Sequence, residues 1–526
     1  MGAPMQTDVY DVAIVGFGPA GAVAAGLLAQ HGLTVWVADQ SEEIYDKPRA
    51  ISLDHEILRV FQQLGVIDEV MPYIEPFTPS EYFGVDGQLI KRLTMVAPPY
   101  PLGYSPSNVF TQPAIEAVLR KRVQGMQNVR VELGVQVVDV AQTPTQATLS
   151  VKRKDAGVAQ IAARYVIGCD GARSTVRELA GLRYEDLEFD EPWLVVDVIV
   201  NEKGLAKLPV TSVQFCNPER PCSFLIAPGN HRRWEISLHA DEDPVEAATP
   251  ARTWELLSRW IGPEDGELWR QASYRFHALV ADRWRNGRIF IAGDAAHQQP
   301  PFLGQGMCQG VRDIANLSWK LAAVLNGEVT GAAAEHLLDS YGEERKAHVR
   351  ELTTRIKHIG AVICERDPQR ARERDAKLLA EHTGVVKDQP RQDVLPKLDC
   401  GLLSRAPGSA RGSLFPQPWV ICNGERTRLD DLAGTGWRLV VTGAIDVPSI
   451  DGITVVQIGG NIQEADGVVA RWMEAHQCIA ALVRPDHYVF GTAATPTDVD
   501  ALIDEALNRF QDRHNSKINA RFTLVS

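Results

Sequence analysis

Val12-Ala-Ile-Val-Gly-Phe-Gly-Pro-Ala-Gly-Ala-Val-Ala-Ala-Gly-Leu-Leu-Ala29 is a run of eighteen residues without a charge, and its reading decides the fold. A run of that length is enough to suggest a membrane-spanning helix. Two features point elsewhere. Asp8 and Asp11 precede the run, where a signal peptide carries basic residues. Gly16, Gly18, Pro19 and Gly21 cluster in its first half, and such clusters mark a turn between two buried elements. The expectation is a strand over residues 9–15, a tight turn, a helix over 19–30, and a second strand over 33–38 that ends at Asp39. No other run approaches spanning length, and residues 1–6 lack the Ser or Thr of a myristoylation site. A membrane is therefore not expected.

The glycines obey G-x-G-x-x-G at Gly16, Gly18 and Gly21, with the acidic Asp39 eighteen positions on. Each residue has a mechanical task. Gly16 permits the turn, Gly18 lets a pyrophosphate reach the backbone, and Gly21 allows close helix–strand packing. The helix start offers unpaired N–H groups and a positive dipole end to phosphate. Asp39 is placed to accept hydrogen bonds from a ribose. The reading is a dinucleotide site in which Pro19, Ala20 and Gln40 flank the contacts. This motif does not separate FAD from NAD.

Two later stretches carry more. Arg164-Tyr-Val-Ile-Gly-Cys-Asp170-Gly171-Ala-Arg173-Ser174-Thr-Val-Arg177 reads as strand, Asp-Gly turn and helix start, with Ser174 near the cap. Gly287-Arg-Ile-Phe-Ile-Ala292 reads as a strand running into Gly293-Asp294-Ala-Ala-His297. Pro300-Pro301-Phe-Leu-Gly304-Gln-Gly306-Met307-Cys308 follows, and then a long helix through Asp313, Asn316, Trp319 and Lys320. Prolines followed by glycines just before a helix make a second cluster of backbone N–H groups aimed at an anion.

These three stretches together resemble the fingerprints of the FAD-dependent aromatic hydroxylases, the group A flavoprotein monooxygenases, over about residues 8–360. Within that family the chain is similar to the 3-(3-hydroxyphenyl)propionate hydroxylase-like branch. The resemblance implies an α/β fold in which a Rossmann-like FAD-binding domain is interleaved with a β-sheet substrate domain. It implies that Gly16, Gly18 and Gly21 hold the FAD pyrophosphate and Asp39 the adenosine ribose. Arg49 matches an arginine near the flavin, and Gln112 a glutamine that touches the cofactor. Asp170, Gly171 and Arg173 match positions that sense both FAD and the nicotinamide. Gly293 and Asp294 match the ribityl-side ribose and pyrophosphate region, while Pro301, Gly304, Gly306 and Met307 match the lining of the isoalloxazine ring. Cys308 departs from the family, many members of which carry Asn there, and a thiol is a poorer hydrogen-bond partner than an amide.

The implied chemistry is reduction of FAD by NADH or NADPH, addition of O2 at flavin C4a to give a hydroperoxide, and oxygen transfer to a phenolic ring. The protein supplies position, dryness and electrostatics. Catalytic candidates are Pro301 and His297, although His297 reads first as a residue that orients its loop. No group is identified that takes the phenol proton. Arg232 and Arg233 are candidate anchors for a substrate carboxylate, but in local sequence they read as an exposed turn pair. The alternatives are a hydroxylase of larger polycyclic aromatics and a non-enzymatic dinucleotide-binding protein of the same fold. A disulfide reductase needs a CxxxxC pair and a flavin halogenase a WxWxIP signature, and both are absent.

Composition bounds the rest. The 526 residues are 45% hydrophobic and 23% charged, which suits a globular chain with an ample core. A net charge of −13 argues against nucleic acid as a partner. Eight scattered cysteines without a CxxC pair fit reduced thiols in a cytoplasmic protein, and no metal site is expected. The expected domains are residues 1–185 with 280–390 for FAD, 186–279 for the substrate sheet (with 75–110 a candidate addition), and 391–526 as a thioredoxin-like unit. Residues 337–379 read as a charged helix whose Glu344 and His348 pair on a solvated face. Residues 384–418 read as a linker. Strands are expected over 437–443, 453–458 and 478–483, with a helix over 497–510. Homodimerisation is a candidate role for the tail.

Overall fold

A computed structural model describes residues 9–154, 156–381, 384–443, 447 and 450–510; Asp8 and residues 1–6, used above, lie outside them. The opening segment folds as the strand Tyr10–Val15, the helix Pro19–Gln30 and the strand Val35–Asp39. The strands pair in parallel, Val12 opposite Val35 and Val15 opposite Ala38. Every helix residue from Gly21 to Ala29 is buried, so the uncharged run is sheet and helix interior. Among the described residues no helix is long and apolar enough to cross a membrane.

Around this unit grows an eight-stranded sheet. Its parallel core sets Ile289–Ile291, Ala156–Gly168, Tyr10–Val15, Val35–Asp39 and Val129–Leu133 side by side. Strands buried on both faces need continuous apolar runs, and Val12–Val15 and Val166–Ile167 supply them. Four carboxyl ends are zipped together by three hydrogen bonds. Gly16 N donates to Ala38 O at 2.7 Å, Cys169 N to Val15 O at 2.7 Å, and Ala292 N to Gly168 O at 2.9 Å.

A second, nine-stranded sheet runs His297–Gln298, Gly266–Ala281, Tyr184–Val200, His231–Ser237, Cys222–Ile226, Ser212–Phe215, Ser80–Phe83, Leu89–Thr94, Asp388–Pro390. One of its faces packs Leu194, Val196, Val198, Trp234 and Ile236 into an apolar layer. Residues 186–279 thus form only its middle. Two strands come from 75–110, and one comes from the stretch read as linker, where Asp388 pairs with Arg92 and Pro390 with Thr94.

The last unit is a seven-stranded sheet with Trp437–Thr442 in its interior, parallel to the central strand Ile453–Ile458 and antiparallel to Ala480–Val483. Pro496–Phe510 is its final helix. The expected strands and helix recur within one or two residues.

One expectation fails. Glu344 and His348, read as a solvated pair, are 1% and 3% exposed on the helix Gly331–Cys364. His348 Nε2 lies 3.0 Å from Pro396 O. Glu344 takes hydrogen bonds from Lys320 Nζ at 2.9 Å, Asn316 Nδ2 at 2.7 Å, Leu402 N at 2.7 Å and Arg484 Nη2 at 2.7 Å. Arg484 also pairs with Asp486 at 2.6 Å. Two cations and two carboxylates therefore close a neutral buried cluster that joins the C-terminal unit to the first. The pairing partner that matters lies 140 residues away, beyond the reach of a local helical pattern.

Burial alone would raise the Glu344 carboxyl, but Arg484 and Lys320 hold it well below the usual carboxylate range. Its stabilisation is therefore present above about pH 4.3 and disappears as pH falls toward the folded value. Glu344→Gln leaves a buried cation uncompensated and is expected to cost about 3–5 kcal/mol at neutral pH, read by urea unfolding. Wild type and variant should converge in acid. A neutral-pH difference under about 1 kcal/mol would show that the cluster does not stabilise the junction.

Candidate functional site

The zipped carboxyl ends bring three loops to one edge, the place where open α/β sheets bind ligands. In the first loop Gly16 has φ +102°, and a Cβ there would fall on the Cys169 carbonyl; one at Gly21 would fall on the Gly16 carbonyl. Gly18 differs, since a Cβ there meets nothing within 4 Å. It also starts the helix Pro19–Gln30 without a side-chain cap, which leaves the first helical N–H groups free of a protein partner. Asp39 Oδ2 accepts from Phe17 N at 2.7 Å and Oδ1 from Ser41 N at 2.8 Å, so this carboxylate also pins the glycine turn to its strand. Gln40 stands exposed beside it.

In the second loop Asp170 accepts from Ser174 Oγ and from Val176 N, the latter at 3.0 Å, and so braces the turn. Gly171 has φ +79° and Arg173 is exposed. Arg177, which carried no assigned role in the sequence, is buried. Its Nη1 donates to Ala172 O at 3.2 Å and to Tyr184 Oη at 2.8 Å, and Tyr184 donates onward to Asp294 O at 2.6 Å. The guanidinium also lies 4.0 Å from the Tyr184 ring centroid. This pair ties the second loop to the third.

In the third loop Gly293 has φ +62° and packs against Ala20 and Gly310. Its N–H donates to Asp313 Oδ2 at 2.9 Å. The same oxygen lies 2.8 Å from His297 Nε2, while Oδ1 takes Arg345 Nε at 2.9 Å. His297 is 1% exposed and stacked on Trp284 at 5.4 Å. It is built in as a positioning group for the loop. Asp294 is exposed, yet surrounding protein raises its carboxyl against the charges of His297 and Arg49, as befits the wall of a cleft.

The turn Pro301–Leu303 leads through Gly304 (φ +61°) to Gln305 and the helix Gly306–Leu325, again without a side-chain cap. A Cβ at Gly306 meets nothing within 4 Å, and Met307 is half-buried beside it. Cys308 points away from this opening: it is fully buried with Sγ 3.9 Å from Ser52 O, so the missing Asn side chain is replaced by packing. Arg312 clamps the helix start, donating to Gln305 Oε1 at 2.8 Å and to Asp54 and Glu56.

Arg49 and Gln112 close the site. Gln112 Oε1 accepts from Arg49 N at 3.0 Å and Ala50 N at 2.6 Å, which leaves the Arg49 side chain exposed. The pair Arg232 and Arg233 is not an exposed turn. Both lie on the strand His231–Ser237, and Arg233 is 2% exposed. Arg233 Nε donates to Asp197 Oδ1 at 2.7 Å, and its Nη atoms to Pro48 O at 2.7 Å and Arg49 O at 2.9 Å. Arg270 adds a bond to Pro48 O at 2.6 Å. Half-buried Arg232 spends its Nη1 on the Gly229 and His231 carbonyls. Arg233 is not free to anchor a carboxylate.

The donor set fits a large dinucleotide. Two helix starts, both uncapped and both opened by a glycine with space in front of it, face one edge, and helix starts favour negative charge. The FAD binding domain signature matches residues 9–356. The chain is 34% identical over 513 residues to a probable NADH-specific resorcinol 4-hydroxylase of Rhodococcus jostii, covering 94% of each chain. It is 36% identical to a 3-(3-hydroxy-phenyl)propionate/3-hydroxycinnamic acid hydroxylase of Mycolicibacterium gilvum, over 83% of this chain and 76% of the relative. In fold it is similar to aklavinone-11 hydroxylase with FAD and aklavinone, at TM-score 0.77 and 23% identity over 96% of this chain and all of the other. It likewise resembles the flavin-dependent monooxygenase PieE, at TM-score 0.78 and 21% identity over 97% of this chain and all of that one. The chain belongs to the FAD-dependent aromatic hydroxylases, in the branch that includes the hydroxyphenylpropionate hydroxylases, and FAD is its cofactor.

Because Gly21 has no room for a methyl group, Gly21→Ala is expected to destabilise the apoprotein by about 1–3 kcal/mol, as overpacking does, measured by thermal unfolding after flavin removal. An apoprotein as stable as wild type would show that the turn and helix can separate at no cost.

Proposed function

We propose that the protein hydroxylates a phenolic ring with O2 and a reduced nicotinamide. NADH is the first candidate, because the name of the Rhodococcus relative specifies it. The observation that carries this reading is the pair of open helix starts on one edge, with the face of the nine-stranded sheet that bears Arg233 and Asp197 reaching the Arg49 loop beside them. Bound there, FAD supplies the activated oxygen that is transferred to the ring.

The chain's own residues do the rest. The open Gly18 and the N–H groups after it hold the pyrophosphate, with Pro19 and Ala20 shaping the approach and Gly21 keeping the helix close. Asp39, with two lone-pair directions still free of the backbone, receives the adenosine ribose, and Gln40 flanks it. Gln112 sets the Arg49 backbone so that the Arg49 guanidinium and Asp294 face one another across the cleft. Gly293 is held by Asp313, Asp170 by Ser174 and Val176, and the Ala172 carbonyl by Arg177, so both loops meet the cofactor already ordered. Arg173, exposed beside them, is the charge available to a visiting nicotinamide. Pro301, Gly304, Gly306 and Met307 line the ring, and the positive end of the Gly306–Leu325 helix stabilises charge that develops there. The C-terminal sheet, which we read as thioredoxin-like, acts by packing on this helix through Asp486, which accepts from Asn316 Nδ2 at 3.0 Å, and on the Gly331–Cys364 helix through Arg484.

NADH oxidation by the flavin-loaded protein should rise on adding a phenol and give hydroxylated product in near-equal amount, measured by chromatography. Hydrogen peroxide as the sole product across resorcinol, phenylpropionates and larger phenols would sink the hydroxylase reading. Gly18→Ala separates cofactor from fold. Apoprotein stability should stay within about 0.5 kcal/mol of wild type, as for a substitution that meets nothing, while FAD affinity falls at least tenfold by fluorescence titration. Unchanged affinity would remove Gly18 from the cradle.

A further inference from the structure

One paired row crosses the nine-stranded sheet through Tyr82, Gln214, Ser223, Glu235, Val195 and Ala272. Glu235 sits in its middle. It is 5% exposed and receives no hydrogen bond among the described residues, an unusual state for a carboxylate with that burial. Its strand alternates: Trp234 and Ile236 enter the apolar layer, while Arg233 and Glu235 take the opposite face. Two walls meet that face. On the Asp197 side Arg233 reaches the Pro48 and Arg49 carbonyls. On the other side Trp193, two residues from Val195, lies 5.6 Å from Phe302 in the turn Pro301–Leu303. Between these walls Glu235 has only small cross-strand neighbours, Val195 and Ser223.

We propose that Glu235 is the acceptor of the substrate's phenolic hydroxyl. The phenol O–H bond breaks, the proton passes to a Glu235 carboxylate oxygen, and the electron pair stays on the ring oxygen, which enriches the carbons ortho and para to it. The assignment rests on the hydroxylase reading above. It commits the group placed at Glu235 to a neutral hydroxyl, because a substrate carboxylate would set two unpaired anions together.

The surroundings suit this task. Burial pushes the Glu235 carboxyl up to about 7 against the charge of Arg233, with Asp197 adding to the rise and Arg270 opposing it. A base poised near neutrality can both take and return a proton. The other groups on this side are His231, Tyr274 and Arg366, which donates to Ser237 Oγ at 2.6 Å, while the Cys222 thiol, opposite Ile236, lies in the apolar layer behind. Burial lowers His231 against its bond to Asp197, and burial raises the Cys222 thiol. Arg233, Arg270 and Arg366 outnumber Asp197 by two charges, so the anionic form of Glu235 has cations to balance it.

The test uses FAD-loaded wild type, Glu235→Gln and Glu235→Asp, with resorcinol and 3-(3-hydroxyphenyl)propionate as probes. In oxidised enzyme without nicotinamide, ultraviolet difference spectra should show bound phenolate in wild type and bound neutral phenol in Glu235→Gln. In turnover, wild-type kcat/KM should fall on the acid side with a midpoint near 7. Glu235→Gln should lose that limb and about 10²–10⁴-fold in rate at higher pH, the usual contribution of a general base. Glu235→Asp should keep a displaced limb and part of the rate. The assignment is overturned if wild type binds both probes only as neutral phenols, or if Glu235→Gln retains the phenolate spectrum and the limb. Should Glu235→Gln fail to load FAD, a Glu235→Asp protein identical to wild type in limb and rate overturns it equally. Failure of the hydroxylase reading is distinct: a phenolate spectrum without hydroxylated product.

Discussion

Much of the molecule depends on one buried carboxylate. Asp313 lies on the helix Gly306–Leu325 with no exposed surface, and three parts of the chain converge on it: the Gly293 N–H, the His297 ring and the Arg345 guanidinium. Burial opposes its charge, but His297 and Arg345 hold its carboxyl below the usual range, so it remains an acceptor at every physiological pH. A buried charge is tolerable only when paired and fully hydrogen-bonded, and that requirement makes the geometry specific. A shift of the loop, the ring or the arginine leaves a charge or a donor unmatched inside the protein.

The same helix repeats the device along its length. Arg312 grips Gln305, Asp54 and Glu56 at its beginning, Asn316 reaches Glu344 and Asp486, and Lys320 reaches Ser340 and Glu344. Polar teeth on a buried helix define its rotation and its depth, which an apolar surface alone leaves loose. The C-terminal unit takes part directly. Tyr488 Oη donates to Glu56 at 3.0 Å, and Glu56 in turn receives Arg312, so a residue 432 positions from Glu56 helps hold the start of the Gly306–Leu325 helix. That is a physical reason for a tail without redox cysteines to stay attached to a redox enzyme.

Glycine made much of this legible in advance. Positions 16, 21, 171, 293 and 304 were readable because a backbone in the left-handed region, or one approached by another chain segment, tolerates little else. The helix Pro19–Gln30 and the strand Ile453–Ile458 followed from apolar runs and turn signals in the same way. What was not legible depends on distance in sequence. Glu344 and His348 carry the spacing of a surface pair, and nothing local reveals that Arg484 reaches the first and Pro396 the second. Arg233 reads as exposed because its partners, Asp197, Pro48 and Arg49, come from two other stretches. The Asp388–Pro390 strand has turn composition and becomes a strand only because Arg92 and Thr94 offer an edge.

The glycines also divide into two physical kinds, and the division marks where fold ends and ligand begins. At 16, 21 and 304 an added methyl group would strike this chain's own atoms, so the absence of a side chain serves internal packing. At 18 and 306 it would strike nothing, and a helix-start residue with free space before it gains nothing for the fold by being glycine. Glycine in that place costs backbone entropy with no structural return, and the return must come from something outside the polypeptide that needs to approach the backbone. Both such positions open long helices, both lie on the same edge, and between them runs the Gly293 loop that Asp313 holds. The edge thus presents two dipoles, suited to the two ends of one elongated anion, whose spacing is set by the buried polar contacts of a single helix.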